Sequence, residues 1–182
     1  MTPILRGDDF GNVQRGRMSD TARDPEGRFE LRLPRGWQAA ADEDGDGLEV
    51  WSDEGEGTLH LISFAPEGAD FPDPAEELYA FLQEQDVVLE EDEVEDVSLP
   101  GGAEMALCEY LTEDEETDER LYWMVGVAAS PGRLVFATYF CPAGREAQER
   151  GLVRDALATL RIEGAEGAEG ANGASGPEGA GE

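Results

Sequence analysis

The chain has 182 residues, with 43 acidic residues against 13 arginines and no lysine, for a net charge of −30 at neutral pH. A surface this negative repels phosphate, which excludes nucleic acid and anionic membrane as partners, and no apolar run approaches the roughly 20 residues of a membrane helix. The length fits one domain with flanking extensions, and two cysteines, Cys108 and Cys141, are too few for a disulfide framework.

The segment 1–27 is polar, rich in Gly, Asp and Arg, and has no sustained period, so a disordered extension is expected there. Its opening residues, MTPILRGDDFGNVQRGR, lack the apolar core of a secretory leader, and a cytoplasmic protein is expected. Met18-Ser19-Asp20 reads as an ordinary start, so residues 1–17 need not belong to the natural product.

From Arg28 the pattern sharpens. RFELRL alternates, with Phe29, Leu31 and Leu33 on one face. Pro34-Arg35-Gly36 turns the chain into a second strand near 37–41, DEDGDG makes a tight turn, and LEVWS forms a third strand over 48–52. After Glu54-Gly55-Glu56-Gly57, TLHLISFA over 58–65 is nearly apolar throughout, the mark of a strand covered on both faces.

The period then changes. In AEELYAFLQEQ, 75–85, Leu78, Phe81 and Leu82 make a helical stripe, with Asp73 as N-cap and Pro74 at the first helical position. An acidic strand is expected near Val94–Leu99, a strand over 103–111, an acidic loop, and two long strands over 120–130 and 133–141 joined by Ser130-Pro131-Gly132. Residues 145–161 read as a last helix, with Leu152, Val153, Ala156, Leu157 and Leu160 at helical spacing. From Gly164 the chain repeats in glycine-led triplets, too short and too poor in proline for a collagen helix, and 163–182 reads as a flexible tail.

Four strands, a helix, four strands and a helix, joined by tight turns, predict an α+β domain over 28–162. The expected architecture is an antiparallel sheet with helices on both faces, an α/β/α sandwich.

RFELRLPRGW, the acidic hairpin, GTLHLISF, the helix, and LYWMVGVAASPGRLVFATYFCPAG before a closing helix together resemble the PsbP-like fold. That fold is shared by photosystem II PsbP proteins, Ran-binding Mog proteins and DcrB-related bacterial proteins. The likeness is strongest to small bacterial members of unknown function, through Leu33-Pro34-Arg35-Gly36-Trp37 and Thr138-Tyr139-Phe140-Cys141. The resemblance implies a binding or assembly accessory. Some DcrB-related proteins are chaperones for secreted effectors, and no residue here carries that role across.

The acids are unevenly placed: residues 36–119 hold 29 of them and no arginine. Adaptation to molar salt and a face for a basic partner both fit this, and salt is expected to stabilise the fold by screening repulsion. Mild acid is expected to act at first in the same direction.

Local motifs are few. Asp42-x-Asp44-x-Asp46-Gly47, with Asp53 at the twelfth position, has the spacing of a calcium loop. Glu49 at the eighth position, the short Asp53 and strand-like flanks depart from it, so an acidic hairpin turn is the competing reading. His60 and Cys141 are the residues on which a hydrolase or a thiol enzyme would have to be built, whereas Cys108 reads as core. Trp37, Trp51, Trp123 and Tyr139, with Tyr110, either line a pocket or partner surface or fill the core. No phosphate loop, nucleophile elbow or zinc-protease motif is present. The expectation is a non-catalytic binding or accessory protein without a cofactor, its partner another protein. A thiol or histidine enzyme and a calcium-modulated module are the alternatives.

Overall fold

The computed structural model describes residues 20–66, 71–113 and 119–164. Its strands are β1 (Thr21–Arg23), β2 (Phe29–Arg32), β3 (Trp37–Ala41), β4 (Gly47–Ser52) and β5 (Thr58–Phe64). Helix α1 (Pro74–Glu84) follows, then β6 (Val94–Ser98), β7 (Glu104–Glu113), β8 (Arg120–Ser130) and β9 (Arg133–Pro142). Helix α2 (Arg150–Leu157) and β10 (Arg161–Ile162) close the described chain. A seven-stranded sheet runs β3-β4-β5-β9-β8-β7-β6, and a three-stranded one runs β1-β2-β10. Every pairing is antiparallel.

The chain leaves β5, in the middle of the large sheet, and must reach β6 at its far edge. Helix α1 makes that crossing, packed on β7 and β8. Its start is set locally, because Asp73 accepts hydrogen bonds from the N–H groups of Ala75 and Glu76 and Pro74 opens the first turn. Leu78 and Leu82, one turn apart, are fully buried. Asp86 ends the helix in the left-handed region at φ 57°.

Alternation divides the strands between two clusters. On β8, Val125, Val127 and Ala129 pack with Leu78 and Leu82 of α1. Their neighbours Met124 and Ala128 pack in the other cluster, with Phe29 and Leu31 of β2 and Val153 and Leu157 of α2. A strand buried on both sides is apolar at every position, which explains the unbroken run of β8.

Three expectations change. The fold is richer in sheet than the anticipated two-helix sandwich: β2 does not join β3 but pairs with β1 and β10 in a second sheet. Within the stretch expected to be disordered, Thr21–Arg23 is a strand and Ala22 is buried, while residues 1–19 lie outside the described chain. Asp24 holds this edge in place. It accepts from the Arg28 N–H at 3.0 Å and from Arg28 Nε at 2.7 Å, and the same guanidinium donates to the Asp46 carbonyl at 2.8 Å. Three residues are too few to show a period, so no alternation could announce β1. The last helix is also shorter than 145–161, being confined to Arg150–Leu157. Thr159 ends it by donating to the Ala156 carbonyl and accepting from the Arg32 N–H. Leu160 is buried from the turn that follows, whereas Leu152 stays 42 % exposed. The glycine-led repeat from 165 onward lies outside the described residues.

Candidate functional site

Because α1 sits over β7 and β8, the same face of β5 and β9 is left partly bare. The register places its residues in rows across the sheet. Trp51, Thr58, Phe140, Trp123 and Tyr110 form one row over five strands. Glu49, His60 and Thr138 lie in the next, and Gly47, Ile62 and Phe136 in the one after. The bare part of these rows is the floor of an open cavity of about 940 Å³. Its wall is a stripe of α1, Glu77, Ala80, Phe81 and Glu84, at the spacing that puts residues on one helical face. Leu78 and Leu82 face the sheet, so α1 serves core and cavity with different stripes.

The lining is aromatic. Phe136 lies between Phe64 and Phe81, with ring centroids 5.6 Å and 5.7 Å away. Trp123 packs against Phe140 at 5.1 Å and stacks on Tyr110 at 6.3 Å. Its indole N–H donates to Thr112 Oγ1 at 2.8 Å, which fixes the ring. Phe64 and Phe140 are 47 % and 40 % exposed, a large apolar surface for so charged a protein.

One polar pair borders the floor. His60 Nε2 lies 3.2 Å from Asp42 Oδ2. Asp42 Oδ1 also accepts from the Asp46 N–H at 2.9 Å. Burial pushes the Asp42 carboxyl up, but the N–H of Gly47, the His60 ring and the N–H groups of Asp46 and Gly45 outweigh it and hold the group below the usual carboxylate range. Gly47 makes the meeting possible, since a Cβ there would stand 2.6 Å from Asp42 Oδ2 and 2.7 Å from the Leu61 carbonyl.

The calcium spacing resolves into this turn. Asp42 closes a β-hairpin, with Gly45 N–H donating to its carbonyl at 3.1 Å. Asp53 follows β4 at the opposite end of that strand from Asp46, so an extended segment separates residues that a calcium loop would bring together. Among the described residues no group of three His, Cys, Asp or Glu is placed to hold a metal ion.

Of the aromatic candidates, Trp123 lines the cavity and Trp51 lies half-buried on the same face, while Trp37 and Tyr139 are core. Tyr139 donates to Glu149 Oε2 at 2.9 Å, and the N–H groups of Glu56 and Gly57 donate to the same oxygen at 3.1 Å and 3.0 Å. Both cysteines are buried. Burial pushes the Cys108 thiol up to about 12 and raises that of Cys141 as well.

Sequence reasoning missed the cavity. Phe81 was legible as part of a helical stripe, but that β5 lies beside β9 is a long-range pairing with no local signature. The Asp42–His60 contact depends on the same kind of information.

Neither a family model nor a curated protein matches the sequence. Solved structures do. A crystal structure of a protein from Bacteroides thetaiotaomicron superposes on 79 % of the chain with a TM-score of 0.57 and 15 % identity, and the match spans 48 % of that protein. The solution structure of cyanobacterial PsbP (CyanoP) from Synechocystis sp. PCC 6803 matches 88 % of the chain and 98 % of its own length, with a TM-score of 0.53 and 12 % identity. The fold is PsbP-like. No helix among the described residues is long and apolar enough to cross a membrane.

Proposed function

We propose that this chain is a non-catalytic binding or assembly-accessory domain whose binding site is the cavity between α1 and the bare face of β5 and β9. The observation that carries this reading is the cavity's lining: aromatic side chains at the surface, held in place by ring contacts, with few polar groups among them. The thiols support it too, being buried, with burial raising the pKa of each, which is the opposite of what an activated nucleophile needs.

One observation favours a hydrolase instead. Asp42 holds the His60 ring, though through Nε2 where the acid of a serine-protease triad holds Nδ1, and Thr138 lies opposite His60 across the strand pair. Among the described residues no hydrogen bond joins His60 to Thr138, which weighs toward a structural pair.

The finer structural reading belongs to the same proposal. Placement of α1 in one buried cluster and α2 in the other supports an α/β/α sandwich, an architecture compatible with the resemblance to Mog-type and DcrB-related proteins read from the sequence. The proposed setting is a cytoplasm of high salt, supported by the acid excess and the absence of lysine.

The test is a thermal-shift screen of small arenes, neutral and cationic, on the full chain and on Ala80→Trp, which fills the cavity from α1. Stabilisation of the parent that disappears in Ala80→Trp supports the site. Equal stabilisation of both, or none of either, overturns it. Ester hydrolysis lost in His60→Gln would replace it with the hydrolase reading.

A further inference from the structure

We infer that the occupant of this cavity is a basic segment of a partner protein, one that inserts an apolar side chain flanked by arginine or lysine. The inference rests on the binding reading above and adds the chemistry of the partner.

The first ground is charge. Among the described residues, the ionisable groups lining the cavity are His60, Glu77 and Glu84. His60 is engaged by Asp42, and the two glutamates stand on α1 above an apolar floor. Arg133, on the strand that supplies much of that floor, is turned to Ser63 Oγ at 3.1 Å instead. An anionic ligand would thus meet like charge at the wall, with no arginine among the described lining residues to receive it. A neutral apolar ligand would use the floor alone and leave both carboxylates to water. A cationic group beside an apolar anchor satisfies floor and wall together, and the faces of Phe64, Phe136 and Trp123 add attraction for a guanidinium or ammonium.

The second ground is shape. The cavity is open, and exposed Phe64 in its lining and exposed Phe140 in the row beside Trp123 carry apolar surface outward. An enclosed small-molecule site would cover such rings, whereas a polypeptide laid across the face would bury them. A second copy of this chain is disfavoured as the occupant, because two chains each of net charge −30 would meet along acidic surfaces.

The experiment is calorimetric titration of the full chain with four capped peptides, in salt of about 0.15 M, where the Debye length is about 8 Å. They are acetyl-Arg-Leu-Phe-Arg-amide, its Gln and Glu counterparts, and acetyl-Arg-Gly-Ser-Arg-amide, which lacks the anchor. The Arg-Leu-Phe-Arg peptide is expected to bind roughly tenfold tighter than the Gln one, with the Glu and anchorless peptides not measurably bound. Glu77→Gln with Glu84→Gln should close the gap between the Arg and Gln peptides. Glu54→Gln with Asp155→Asn removes as much charge elsewhere and should leave the gap open. Equal binding of the Arg and Gln peptides overturns the basic partner and leaves the cavity reading standing. Closure of the gap by both double variants, or binding of the anchorless peptide, reduces the preference to bulk charge and also overturns it. Binding of none of the four overturns both readings.

Discussion

Tyr139 and Glu149 share one buried hydrogen bond of 2.9 Å, and the turn between β4 and β5 is built around it. Glu149 is 6 % exposed, and the same carboxylate oxygen receives the N–H groups of Glu56 and Gly57. The spacing of Gly55 and Gly57 follows from this. A Cβ on Gly57 would stand 2.4 Å from the Tyr139 ring, and one on Gly55 would stand 2.0 Å from Glu149 Oε1. Tyr139→Phe is therefore expected to cost about 1–3 kcal/mol, since it leaves a buried carboxylate short of a donor. Gly57→Ala should destabilise by a similar amount, roughly 1–3 kcal/mol, through overpacking against a fixed ring. Denaturant melts of both variants measure this.

Acid should weaken the fold. Three carboxylates are held below their ordinary range. In Asp24 and Glu109, burial pushes upward but is outweighed, by Arg28 for Asp24 and by Tyr122, Arg150 and Arg154 for Glu109. Asp42 behaves likewise in its turn. Groups with depressed folded values bind protons more weakly when folded, so their contribution is whole above about pH 4 and is lost as pH falls through the folded values. This runs against the stabilisation by mild acid expected from repulsion alone. Melting temperature is expected to fall below about pH 4, less steeply in Asp42→Asn than in the parent.

Salt should stabilise the fold. The arginine-free stretch is not wholly unpaired, because later arginines return to it: Arg150 and Arg154 to Glu109, Arg154 to Glu95, Arg145 to Glu56 and Arg120 to Glu113. Among the described residues these arginine pairs engage four glutamates of a stretch that holds 29 acids and no arginine of its own, so repulsion is expected to outweigh the pairs that salt would also screen. A rise in melting temperature between roughly 0.01 and 1 M NaCl is expected, as the Debye length contracts from about 30 Å to about 3 Å. A flat series would show the acids to be compensated.

The thiols should be slow. Cys108 and Cys141 are 2 % and 1 % exposed, and burial raises both pKa values. Reaction with a disulfide reagent at pH 8 is expected to be complete only on unfolding, and one fast equivalent in the native protein would contradict this.

The elements legible in the sequence were those that carry their own period or cap: RFELRL, the Asp73-Pro74 start of α1, and the paired strands around Ser130-Pro131-Gly132. What stayed hidden depends on neighbours distant in the chain. Thr21–Arg23 is a strand because β2 lies beside it, and α2 stops short because Thr159 answers the Arg32 N–H. Trp37 and Tyr139 looked like Trp123 to a reading by residue type, and only the register shows that the first two point into the core. The cavity itself is the gap left where α1 crosses to β6, a property of topology.

The central claim, that this gap is the binding site, is tested most directly by the indole N–H signals of the chain's three tryptophans. Titrating ¹⁵N-labelled protein with acetyl-Arg-Leu-Phe-Arg-amide should move the Trp123 signal saturably, because that ring lines the cavity, while Trp37, 4 % exposed in the other cluster, stays in place. A Trp123 signal that does not move, or one that moves no more than that of Trp37, would contradict the account.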